Sequence, residues 1–145
     1  MKSGYSTYKS VNIDTADQGK LILIAYDVAI KHCKLSLPQF ADYRMIEERS
    51  KHLVKAQDAV SELMGSLRME VGEISRNLHR VYEYMLHRLV QANVQSDKSP
   101  VEEVLRHLES LRDAWSQAFL KLKRESAPAL EKEPVSAQQS FAISG

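Results

Sequence analysis

The side chains best equipped for chemistry are five histidines and one cysteine, and what matters first is what stands beside each of them. His79, Glu83 and His87 recur at four-residue steps, which on a helix lines two imidazoles and a carboxylate along one face. That set is suited to one exposed divalent ion, and it is equally the pattern of an ordinary solvated face. A buried di-metal centre in a helical bundle needs glutamate three residues before histidine. Here the residues three before His32, His52, His79, His87 and His107 are Ala29, Arg49, Arg76, Tyr84 and Val104, none of them acidic. Cys33 has no second cysteine to pair with, so no internal disulfide forms, a reducing cytosol is the expected compartment, and the thiol reads as a small buried hydrophobe. There is no glycine-rich phosphate loop and no local nucleophile signature. The chain is therefore expected to be no enzyme, with no catalytic residues, no resident metal and no cofactor.

Composition narrows the partners. Twenty Lys and Arg against nineteen Asp and Glu leave a net charge of +1, too little field to hold nucleic acid or an anionic membrane. At 145 residues and 43% hydrophobic, the chain is sized for one domain with a real core. The greasiest run, Leu21 to Ile30, is about half the roughly 20 residues that span a bilayer, and the polar N-terminus has no signal-peptide core. A soluble cytoplasmic protein without membrane insertion is expected.

Residues 1–14 are polar with Tyr5, Tyr8, Val11 and Ile13 interleaved, the pattern of an extended arm carrying a few anchors. Thr15 to Gln18 offers a capping box for a first helix that must stop before Pro38. That helix is apolar round most of its circumference, with Leu21, Ile24 and Val28 as one stripe, so it needs cover on several sides. A second helix is predicted from about Tyr43 to Leu67, with Ile46, Leu53, Val60 and Leu67 at seven-residue steps. After a break bracketed by Gly65 and Gly72, a third carries Val71, Ile74, Leu78, Val81, Tyr82, Met85, Leu89 and Ala92. Ser99-Pro100-Val101-Glu102 reads as cap, first-turn proline and capping glutamate of a fourth. Its seam is Val101, Val104, Leu108, Leu111, Trp115, Ala118 and Leu122, and Lys121, Lys123 and Arg124 suit its negative end. Residues 125–145 show no period and read as a disordered tail. The predicted architecture is all-α: an antiparallel up-and-down four-helix bundle over 15–124, preceded by the arm 1–14 and followed by the tail.

What this pattern leaves over is apolar surface. Leu86 and Val90 sit to one side of the core line through Leu78, with Tyr82 between, and Val54 is displaced in the same way on the second helix. Together with Met64, an adaptable filler, these residues are the candidate lining of a groove for an amphipathic helix of a partner. The same residues would also serve as the edge of a wide core stripe.

An ordered set of short motifs resembles the flagellar secretion chaperones of the FliS family. It comprises Tyr8-Lys9, Thr15-Ala16, Lys20-Leu21-Ile22-Leu23, Tyr26-Asp27, Lys55-Ala56-Gln57, Glu62-Leu63 and Asn77-Leu78. It continues in Val81-Tyr82-Glu83-Tyr84-Met85, Arg88-Leu89, Ala92-Asn93, Leu111-Arg112 and Ala114-Trp115, so that residues 5–120 are covered. The sequence departs from the family pattern at Asp17-Gln18, where Ser-Pro is usual, and at Val28, where glycine commonly follows Tyr-Asp. The resemblance implies a cytosolic chaperone that binds the C-terminal segment of flagellin, prevents its premature polymerisation and keeps it competent for type III export. It places Tyr8 on the family's N-terminal tyrosine; helix geometry supplies the rest of the candidate site, Val54, Met64, Tyr82, Leu86 and Val90, with Tyr5 and Tyr8 covering part of it when empty. The export gate and flagellar regulatory proteins are further candidate partners, and an empty chaperone could pair as a homodimer. The alternative is a same-fold scaffold that sequesters a different amphipathic segment.

Overall fold

In a computed structural model the described residues run from 15 to 135 and are helical throughout apart from short links. Helix α1 spans Thr15–Ser36, α2 Ile46–Gly65, α3 Glu73–Gln95 and α4 Ser99–Val135. The all-α, four-helix expectation holds, with no strand among the described residues. The tyrosine arm lies outside them. The described residues up to Arg112 form one compact unit, to which α4 contributes 99–112, and those from Asp113 onward form a second.

The links follow from local chemistry. Pro38 ends α1, and a 3-10 turn, Leu37–Phe40, leads out of it. A second, Tyr43–Met45, is capped by Asp42, whose carboxylate accepts the Arg44 amide at 3.0 Å. The α-helical part of α2 therefore starts at Ile46 rather than at Tyr43. Between α2 and α3, Gly72 adopts φ 141°, a backbone conformation open to glycine and strained for any residue with a Cβ. The α3–α4 turn is closed by Ser96 in the left-handed region, with the Ser96 and Asp97 amides both donating to the Ala92 carbonyl. The start of α4 differs from the expected serine cap. The Lys98 carbonyl takes the first helical bond, from the Glu102 amide, and the Asp97 carboxylate accepts both the amide and the hydroxyl of Ser99.

The core of the first unit is built from inner lines on the four helices: Ala25, Tyr26, Ala29 and Cys33; Leu53, Ala56, Val60 and Leu63; Tyr82, Met85, Leu89 and Ala92; Val101, Val104 and Leu108. Alanines on α1, α2 and α3 let backbones approach, and the larger side chains fill the spaces between. Cys33 is wholly buried, as its sequence reading expected, and desolvation pushes its thiol up to about 12. Antiparallel neighbours are pinned across their rims. Arg112 reaches Asp27 with two guanidinium bonds at 2.7 and 3.2 Å, Lys34 pairs with Glu109, and Glu103 accepts from both Tyr84 and Arg88. Those last two bonds, the tyrosine first, hold the Glu103 carboxyl below its ordinary range.

Three expected core stretches turn out exposed. Of the α1 stripe only Leu21 is buried, whereas Ile24 and Val28 face outward, because the inner line runs through Ala25, Tyr26 and Ala29. Val28, the bulky departure at the Tyr-Asp motif, thus adds nothing to the packed interior. On α3, Ile74 and Val81 are exposed: they share a seven-residue line with Arg88, which meets α4 only at its upper end. On α4 the buried seam stops at Leu108; Leu111 and Trp115 are half-buried, Ala118 and Leu122 exposed. Within the second unit, Trp115 and Phe119 stack at 5.3 Å. Helix α4 continues past Lys123 and through Pro128 to Val135, so the expected tail is helical over 125–135 and its remainder lies outside the described residues. The flanking Ala127, Ala129, Leu130, Glu131 and Lys132 are strong helix formers, which the aperiodic reading underweighted.

Candidate partner-binding seam between α2 and α3

The relative register of α2 and α3 is set by one polar knot. Arg49 is 3% exposed, and its guanidinium donates to the Asn93 side-chain oxygen at 3.0 Å, to the Asn93 carbonyl at 3.0 Å and to the Ser96 hydroxyl at 3.4 Å. The Asn93 amide donates in turn to the Ser50 hydroxyl at 3.0 Å. A buried cation is thus placed at the C-terminal end of α3, where unsatisfied carbonyls and the helix dipole favour positive charge. Its flat face covers Phe40, 4.6 Å from the ring centroid, which ties the α1–α2 link into the same knot. Sequence reasoning missed Arg49. The available signal was a cation four residues before Leu53 and seven before Ala56, on the apolar seam itself.

With Asn93 against Arg49 and Ser50, one further turn along each antiparallel helix brings Val54 level with Leu89 and Val90. Leu89 points into the core and Val90, about 100° round, points out toward α2's outer flank. Val54 and Val90 are 49% and 47% exposed, and Leu86, one turn along from Val90, is half-buried between them and the core. These three form an apolar strip on the outer side of the α2/α3 seam. Met64 is half-buried on the same flank of α2, about 15 Å further along and level with His79. Val94, 78% exposed one turn beyond Val90, extends the strip and was not singled out from sequence.

Tyr82 does not join it. The residue is 1% exposed, its hydroxyl hydrogen-bonds the hydroxyl of Tyr26, and the two rings meet at 6.4 Å in a tilted pair. Its position about 40° inside Leu86 is enough to turn it from the seam into the interior. Tyr5 and Tyr8 lie outside the described residues. His79 is half-buried while Glu83 and His87 are exposed, and among the described residues no group of three His, Cys, Asp or Glu side chains is arranged to hold a metal ion.

The seam offers hydrophobic contact and little else: aliphatic side chains of moderate size, backed by a rigid core, with no activated nucleophile beside them. Residues 1–122 match the family model described as flagellar protein FliS. The chain belongs to the FliS family. The flagellar secretion chaperone FliS of Bacillus subtilis is 33% identical over 119 residues, covering 82% of this chain and 88% of the relative. That of Salmonella typhimurium is 31% identical over 121 residues, covering 79% and 89%, and that of Escherichia coli 26% over 141 residues, covering 91% and 96%. These relatives are flagellar secretion chaperones by name, and the family match reaches into all four helices, up to residue 122. Among the described residues no helix is long and apolar enough to cross a membrane.

Proposed function

We propose that this FliS-family chain is a cytoplasmic chaperone that binds the C-terminal segment of flagellin on the outer α2/α3 seam. Binding there would prevent premature polymerisation of flagellin and keep it ready for type III export. The observation that carries the reading is the apolar strip of exposed Val54 and Val90 with half-buried Leu86 on a chain of this family. A segment that is unfolded alone and amphipathic when helical buries its apolar stripe on such a strip and folds as it does so. Ordering the segment costs a few kcal/mol of the gross interaction, which keeps the complex reversible for handover. No nucleotide is required. Met64 and Val94 extend the strip at either end, and residues 1–14, with Tyr5 and Tyr8, cover part of it when no client is bound. Tyr82 supports the seam from beneath. The export gate and flagellar regulators act as later partners on the loaded complex, and two empty copies pair through apolar surface that the arm leaves uncovered.

Calorimetric titration with the C-terminal segment of flagellin from the same organism tests this reading, on the full chain and after removal of residues 1–14. One-to-one binding with a large negative heat-capacity change is expected, tighter once the arm is gone. Absence of binding in both forms would transfer the seam to a different amphipathic client.

A further inference from the structure

One cluster of titratable side chains takes no part in the seam. Near the C-terminal end of α1, His32 meets His52 of α2 edge to edge, with the ring planes 25° apart, the centroids 5.2 Å apart and the Nδ1 atoms 3.0 Å from each other. Both side chains are half-buried. A hydrogen bond between two Nδ1 atoms requires one to carry a hydrogen and the other to present a lone pair. The neutral pair meets that condition, and so does the pair with one added proton. A second added proton places hydrogens on both Nδ1 atoms, removes the acceptor and leaves two cations facing each other edge to edge.

We infer that His32 and His52 are a proton-operated clasp between α1 and α2, closed in the neutral or singly protonated pair and opened by the second proton. The charges around the two rings differ. Glu48, one turn before His52 on α2, has its carboxylate 3.7 Å from His52 Nε2. Burial first, then His52 itself, Lys55 on α2 and Lys31 on α1, oppose a charge on His32 and hold it below the ordinary imidazole range. A depressed histidine stabilises the fold fully above its unfolded value, about 6.5. That stabilisation is lost as pH falls through the lowered folded value. The clasp therefore holds α1 to α2 at neutral pH and lets the end of α1 near Ser36, about two turns beyond the exposed Val28, loosen in mild acid.

Two measurements on the full chain test the inference. Long-range nitrogen–proton NMR across pH 8 to 5 should show the signals of the two rings changing as a coupled pair, with His32 charging below the ordinary imidazole range. Thermal unfolding should show the wild-type Tm falling a few degrees more over that range than the Tm of His32→Phe. The exposed-histidine control His87→Gln should follow the wild type. Independent titration of both rings near the ordinary value, or parallel Tm curves for wild type and His32→Phe, would overturn the clasp. If His32→Phe fails to fold, the coupled or independent titration of the wild-type rings decides alone.

Discussion

Helix α3 carries two apolar lines that differ by a fraction of a turn. The inner line, Tyr82, Met85, Leu89 and Ala92, is fully buried, whereas the outer, Leu86, Val90 and Val94, is progressively exposed toward its C-terminal end. Both are aliphatic or aromatic and both recur at helical spacing. What separates them is the neighbour each meets: the inner line faces α1, α2 and α4 together, the outer only the flank of α2. The proposed binding surface is thus the continuation of the core past the point where the fold stops covering it.

Substitutions that confuse the two lines should separate stability from recognition. Leu89→Ala removes a fully buried side chain on the inner line and should cost about 2–5 kcal/mol in denaturant unfolding, since the surrounding helices cannot collapse into the space. Arg49→Leu leaves the Asn93 and Ser96 acceptors without their donor and releases the register of the seam. A loss of about 1–3 kcal/mol is expected, with weakened client binding even though no binding residue has changed. Leu86→Ser together with Val90→Ser strips the outer line, and because both side chains are already part-exposed the stability cost of the pair should stay near 1.5–3 kcal/mol, roughly half that of burying both fully. An unfolding cost equal to that of Leu89→Ala would erase the distinction and make the outer line core. Smallest in energy is Cys33. Protonated and buried, it should stay unreactive toward an aromatic disulfide reagent at pH 8 in the native protein and react promptly once denaturant opens the chain.

How far these lines could be read from sequence depends on what periodicity encodes. The existence of four helices and the stops at Pro38 and Gly72 follow from local chemistry and appear where expected. The angle of a stripe is equally local, which is why Leu53, Val60, Leu89 and Leu108 were legible as core and Val54, Leu86 and Val90 as displaced from it. How far along a stripe the neighbouring helix extends is not local, so Ile74, Val81 and Leu122 looked like core and are exposed. Tyr82 stands between the two lines, and the hydroxyl that draws it inward belongs to Tyr26, 56 residues away. For Arg49 the place on the apolar seam was legible but its partners were not: two of its three acceptors sit on one residue of another helix, and no side-chain pattern on α2 announces them.

The central claim is that the outer line of α3, with Val54 across from it, holds the client. It is tested most directly by calorimetric titration of the Leu86→Ser, Val90→Ser double variant, with residues 1–14 intact, against the C-terminal segment of flagellin. Undiminished helicity with affinity at least about tenfold weaker than wild type, equivalent to about 1.4 kcal/mol, is the predicted result. Wild-type affinity in a folded double variant would contradict it and place the client elsewhere on the bundle.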